Sequence, residues 1–131
     1  MEFNQGSCGP ADEVSAGPGC YSIRMKIADA YGKGTFGLSF EIFPPKSDPG
    51  EAQLFAALDA LMVFRPSFVS CTYGAGGSTR DTTLELTVRI STAFGVTTAA
   101  HRTCVESTKD EIRQWLKKAS DLRIENIVAL L

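Results

Sequence analysis

Histidine and tryptophan each occur once in the 131 residues, and the four cysteines (Cys8, Cys20, Cys71 and Cys104) form no Cys-x-x-Cys pair. A single imidazole with scattered thiols offers no ligand set for a structural zinc, so no metal is expected. The same thiols make no disulfide framework, which points to reduced cysteines and a cytoplasmic location. Charge of one sign is also scarce: 13 basic against 15 acidic residues leave a net charge of −2. That balance excludes a broad basic face for nucleic acid. No apolar run approaches the ~18 residues of a membrane span. Residues 1–22 contain no apolar stretch of signal-peptide type. The length is one domain's worth of chain at most. A 44% hydrophobic content is ordinary for a globular fold and too high for a disordered chain.

The chain divides into three parts. Residues 1–22 hold Gly6, Gly9, Pro10, Gly17, Pro18 and Gly19 with little aliphatic content, and read as a disordered tail. Residues 23–36 read as a short helix, about Ile23 to Tyr31, and a linker through Gly32 and Gly34. From residue 37 to 131 the pattern becomes regular. Residues 37–43 form an apolar, aromatic strand stopped by Pro44 and Pro45. Asp48, Pro49 and Glu51 mark a helix start, with Asp48 as the cap. Leu54, Leu58, Leu61 and Met62 follow at helical spacing until Pro66. Residues 67–72 form a second strand, and residues 73–79 a glycine-rich loop. Ser78 is placed to cap the next helix, which closes at Gly95. A third strand lies within residues 96–103. Thr108 and Glu111 have capping-box spacing before a helix whose apolar face is Ile112, Trp115, Leu116, Ala119 and Leu122. Residues 126–131 form strand four.

Strands that alternate with helices run parallel, joined by right-handed crossovers. The candidates are a doubly wound sheet and a (β/α) barrel. Polar residues recur at the strand ends: Glu41, Thr72 and His101 are 31 and 29 residues apart. In either architecture the carboxyl ends of the strands share one face, where ligands bind. A carboxylate, a hydroxyl and an imidazole therefore converge.

Glu41 lies among Phe40, Ile42, Phe43 and two prolines. Desolvation there would raise its pKa and suit a general acid or base. The plainer reading is a strand residue facing solvent. The loop from Tyr73 to Thr79 frees backbone amides before a helix, as a phosphate cradle would. It matches neither Gly-x-Gly-x-x-Gly nor a P-loop, and a tight turn explains it equally well. Arg80 and Asp81 would sit in the first helical turn, as a local ion pair. His101 serves either binding or a satisfied core position. Cys71 reads as a small buried hydrophobe, with no base placed to activate it.

Together, Ser39–Lys46 (SFEIFPPK), Val69–Asp81 (VSCTYGAGGSTRD), Ala100–Cys104 (AHRTC) and Asn126–Leu130 (NIVAL) resemble the successive strand-end motifs of the 5,10-methylenetetrahydrofolate reductase family. The resemblance runs from Leu38 to Leu130. It implies a (β/α)8 TIM barrel with non-covalent FAD at the carboxyl ends of its strands. The implied reaction passes hydride from NAD(P)H to the flavin and then to methylenetetrahydrofolate, giving 5-methyltetrahydrofolate for one-carbon metabolism and methionine supply. It assigns Glu41 as the general acid, Thr72, Tyr73 and Ala75 as contacts to nicotinamide or flavin, and His101 as a flavin-binding residue. Family members are expected to be homo-oligomeric, with folate substrate as the partner and neither nucleic acid nor membrane.

Two departures stand out. The family usually has an apolar residue where this chain has Arg102, which must find a partner or reach outward. The family's fourth strand continues into Arg-Gly-Asp, and here Leu131 holds the arginine position and is the last residue. A whole barrel takes ~250 residues, so the expectation is the N-terminal half: about four parallel strands with crossover helices. Such a half is expected to bind FAD poorly, if at all, and to lack reductase activity alone. Alternatives are a self-associating half-barrel that pairs across its edges and a ligand-binding module without catalysis.

Overall fold

The computed structural model describes residues 26–31, 36–73 and 82–131. The expected tail of residues 1–22, with Cys8 and Cys20, lies outside them. So does the loop from Gly74 to Asp81, with Ala75, the Ser78 cap and the Arg80–Asp81 pair. The elements are α1 (Ile27–Ala30), β1 (Ser39–Ile42), α2 (Asp48–Leu61, continued by a 3-10 turn over Met62–Phe64), β2 (Phe68–Cys71), α3 (Thr82–Phe94), β3 (Thr98–Thr103), α4 (Lys109–Asp121) and β4 (Ile127–Leu130).

All strand pairs are parallel, and the sheet order is β1-β2-β3-β4. That order is the one expected of the N-terminal half of a barrel, and it decides between the two architectures that alternation alone left open. A doubly wound sheet reverses its strand order and so places helices on both faces. Here every step advances the same way, and crossovers of one hand put every connecting helix on one face. The result is a half-barrel arrangement, with the barrel not closed.

Alternation along the strands creates two faces. Ile42, Val69 and Cys71 point to the helices and pack with Leu58 of α2 and with Leu86 and Ile90 of α3. Ala100 joins Leu84, Trp115 and Ala119 in a second cluster. Leu116 departs from the expected α4 face and is exposed. One residue beyond Trp115 is 100° around the helix, which turns it off the buried stripe.

Caps set the helix boundaries. Ser47, not Asp48, caps α2: its extended backbone precedes the helix, and its hydroxyl accepts from the Gly50 N–H at 3.3 Å. Asp48 and Pro49 then occupy the first helical positions, where a carboxylate favours the positive end of the dipole and a missing N–H costs nothing. Arg65 adopts a left-handed conformation (φ 49°) just before Pro66 and stops the turn. Gly95 (φ 62°) ends α3 with a hydrogen bond to the Ser91 carbonyl. The Thr108–Glu111 capping box forms in full.

Of the expected helix the described part is the single turn of α1, preceded by an extended Lys26, while residues 23–25, Gly32 and Gly34 lie outside the described residues. The turn is held at the amino ends of the strands, away from the polar strand ends. The Ile27 N–H donates to Asn126 Oδ1 at 2.9 Å, and Asn126 Nδ2 donates to the Thr98 carbonyl at 3.2 Å. Tyr31 stands edge-on to Phe68, and a Cβ at position 37 would collide with the Tyr31 ring, which calls for Gly37.

Candidate functional site

The second face of the sheet carries the polar residues. Glu41 on β1 is in register with Ser70 on β2, and Ser70 with Ala99 on β3. His101 lies two residues beyond Ala99 and so on the same face. The pleat thus brings Glu41 and His101 together across the intervening strand, with Glu41 Oε2 3.6 Å from His101 Nε2. This is too long for a hydrogen bond and becomes an ion pair only when the imidazole is protonated.

The two partners differ in environment. The His101 side chain is 9% exposed and that of Glu41 is 53% exposed. The expected desolvation of Glu41 is therefore not found. Phe40 and Ile42 alternate to the other face, and Phe43 is itself exposed, so the apolar neighbours do not cover the carboxylate. The titratable group beside Glu41 is the imidazole.

Thr72 extends the ladder by one hydrogen bond, from its N–H to the Ile42 carbonyl at 2.9 Å. Its own carbonyl accepts from Thr83 Oγ1 at 3.3 Å, which ties the end of β2 to the first turn of α3. The Thr72 hydroxyl is buried and has no hydrogen-bond partner among the described residues. A buried polar atom left unsatisfied costs about 1–3 kcal/mol, and such exceptions ask for an explanation.

Tyr73 stands apart from Glu41 and His101. Its hydroxyl accepts from Arg102 Nη1 at 3.3 Å, and the guanidinium carbon lies 5.3 Å from its ring centre. Arg102 thus finds its partners inside the fold: Arg102 Nη2 donates to Ser107 Oγ at 3.0 Å, and the cation also lies over Trp115. Ala75 lies outside the described residues.

Ser70 is a residue that sequence reasoning missed. It is buried on the site face beside Glu41. A period-two count back from Thr72 would have found it. Cys71, on the packed face, has its thiol pushed up to about 12 by burial, with a hydrogen bond to Thr87 acting in the opposite direction. A thiol so held is no nucleophile near neutrality. Among the described residues, no cluster of three or more His, Cys, Asp or Glu side chains could hold a metal. No described helix is long and apolar enough to cross a membrane.

Comparison with known proteins adds an independent line. A family model described as methylenetetrahydrofolate reductase matches residues 26–131. The chain is 40% identical over 105 residues to "Methylenetetrahydrofolate reductase (NADH) 1" of Zea mays, covering 80% of this chain and 18% of that protein. It is 38% identical over 109 residues to the 5,10-methylenetetrahydrofolate reductases of Salmonella typhimurium and Escherichia coli, covering 83% of this chain and 36% of each. The chain therefore spans about a third of the bacterial relatives and under a fifth of the plant one.

Proposed function

The chain belongs to the methylenetetrahydrofolate reductase family, and from that premise we propose that it carries the proton-donating part of an oxidoreductase site for 5,10-methylenetetrahydrofolate. FAD, when bound, supplies the hydride carrier between NAD(P)H and the folate. The residues present fit that group. The unpartnered Thr72 hydroxyl is a ready donor or acceptor at a strand's carboxyl end, and the buried His101 imidazole lies on the same face. Thr72 and His101 would hold it, together with Tyr73 and Ala75. Glu41 is the acid. It delivers a proton to the bridging nitrogen of the folate, which opens the five-membered ring and leaves the one-carbon unit electron-poor.

The observation that carries this reading is the approach of Glu41 to His101 at 3.6 Å on the helix-free face. His101 Nε2 lies beside the carboxyl, and Glu41 remains open to a substrate. Free thiols at Cys71 and Cys104 support work in a reducing compartment, the cytoplasm.

The test pairs this chain with a polypeptide that supplies the remaining barrel strands and follows the two half-reactions separately. Glu41→Gln is expected to slow methylenetetrahydrofolate reduction by about 10²–10⁴-fold, the span of general acid catalysis, while flavin reduction by NADH or NADPH persists. An unchanged folate half-reaction would overturn the assignment.

A second reading rests on the sheet edges. Ile127 and Leu130 of β4 are exposed, and exposed edge strands template pairing. Self-association through β1 and β4 would complete a ring, and sedimentation of the chain distinguishes a dimer from a monomer.

A further inference from the structure

Arg102 is a cation on the wrong face. It lies on the helix-packed side of β3, in line with Ala100, and is only 3% exposed. A buried charge is tolerated when hydrogen bonds and polarisable groups replace its water. Among the described residues no carboxylate lies within ion-pair distance of it. Its compensation comes instead from neutral partners: the Tyr73 hydroxyl, the Ser107 hydroxyl, and the faces of Tyr73 and Trp115. Its Nε has no partner. The side chain thus joins the end of β2, the turn after β3 and the middle of α4 in one cluster.

The partners constrain one another. A guanidinium is a rigid planar fork, and two of its nitrogens are committed to hydroxyls on different segments. Tyr73 is gripped twice, through its oxygen and through its ring. Because Arg102 can only donate, the Tyr73 oxygen must accept, and the phenolic proton is directed away from Arg102. Tyr73 is thereby offered as a donor of fixed orientation at the carboxyl end of β2.

We propose that Arg102 is a positioning residue that holds the ring and hydroxyl of Tyr73 for contact with the bound cofactor. The proposal rests on the reading of Tyr73 as a cofactor contact. It accounts for a cation in a packed layer where an apolar side chain would suffice for stability. Arg102 itself touches no reacting atom.

This chain, paired with a polypeptide that supplies the remaining barrel strands and titrated flavin-free with FAD, provides the test. FAD binding is followed by quenching of flavin fluorescence, and this chain by itself by near-ultraviolet circular dichroism, where Trp115 is its single tryptophan. Arg102→Leu is expected to keep the far-ultraviolet spectrum, to flatten the tyrosine and tryptophan bands, and to weaken FAD binding about tenfold, as loss of a charge-assisted hydrogen bond would. Arg102→Lys should recover part of that loss. Tyr73→Phe, which removes one oxygen, should weaken binding similarly, and the double variant should bind no worse than the weaker single. Should Arg102→Leu fail to fold, Tyr73→Phe compared with Ser107→Ala still decides. Both sever one arm of the same cation, so weakened binding in both supports positioning, and weakening in Tyr73→Phe alone refutes it.

FAD affinity unchanged in Arg102→Leu but lowered in Tyr73→Ala would overturn the positioning role and leave Tyr73 as a cofactor contact. So would single-variant losses that multiply in the double variant. If Tyr73→Ala, paired in the same way, binds FAD as well as the paired parent, or the paired parent does not bind it, the cofactor reading of Tyr73 fails and the proposal fails with it.

Discussion

Alternate residues of the same strands face two different environments. On the packed face, Ile42, Val69, Cys71 and Ala100 are sealed against α2, α3 and α4. On the other face, Glu41, Ser70, Thr72 and His101 line up at the carboxyl ends with no covering helix among the described elements. The packed face is held mainly by apolar area removed from water. The site face keeps an unsatisfied hydroxyl and a half-exposed carboxylate, which contribute little to folding. Residues that break a local rule without a packing gain mark function. Arg102 tests that division from the other side, as a polar group placed in the packed layer and satisfied there by aromatic and hydroxyl partners.

Substitutions on each face should produce opposite signatures. The largest effect is expected from Glu41→Gln, which should cost about 10²–10⁴-fold in the folate half-reaction with an unchanged urea midpoint. A parallel loss of stability would erase the distinction between the faces. Next is Leu58→Ala on α2, fully buried against the sheet. It should lower unfolding free energy by about 2–5 kcal/mol, read from denaturant melts, and act on ligand binding only through the unfolded fraction.

A smaller effect follows from the Cys71 thiol. Burial raises its folded-state pKa to about 12, above the ~8.5 of an unfolded cysteine. The folded chain therefore holds this proton more tightly. The associated stability is fully present below pH ~8.5 and is lost as pH rises toward about 12. Urea midpoints should fall over that window, and Cys71→Ala should flatten the slope. The smallest stability change is expected from Thr72→Val, at most about 1 kcal/mol and of either sign, because no hydrogen bond of the hydroxyl is lost. Its ligand affinity should nevertheless drop. A marked loss of stability with no change in FAD titration would assign the Thr72 hydroxyl to folding instead.

Much of the fold was legible because it depends on local patterns. Strand alternation, the Thr108–Glu111 box, the Gly95 stop and the proline punctuation each act over a few residues. The error at α2 was one residue, since Ser47 and Asp48 are both good caps and only backbone conformation chooses between them. The site was legible as a set of strand ends, and Glu41 and His101 do meet. What failed was the environment of Glu41. The sequence places Phe40, Ile42 and Phe43 beside it, but the pleat sends two of them to the other face and leaves the third exposed.

The sequence by itself determined a parallel βαβ chain whose polar strand ends gather on one side, because helical and strand periodicities and right-handed crossovers leave no other course. It also carried four motifs whose order marks the family. Alternation alone left a doubly wound sheet and a barrel open, because strand order is a long-range property; the motifs' resemblance pointed to the half-barrel, and the strand order β1-β2-β3-β4 bears it out. Tertiary structure alone turned Arg102 inward onto Tyr73, Ser107 and Trp115, because those partners lie 29, 5 and 13 residues away and meet only when β2, β3 and α4 are packed.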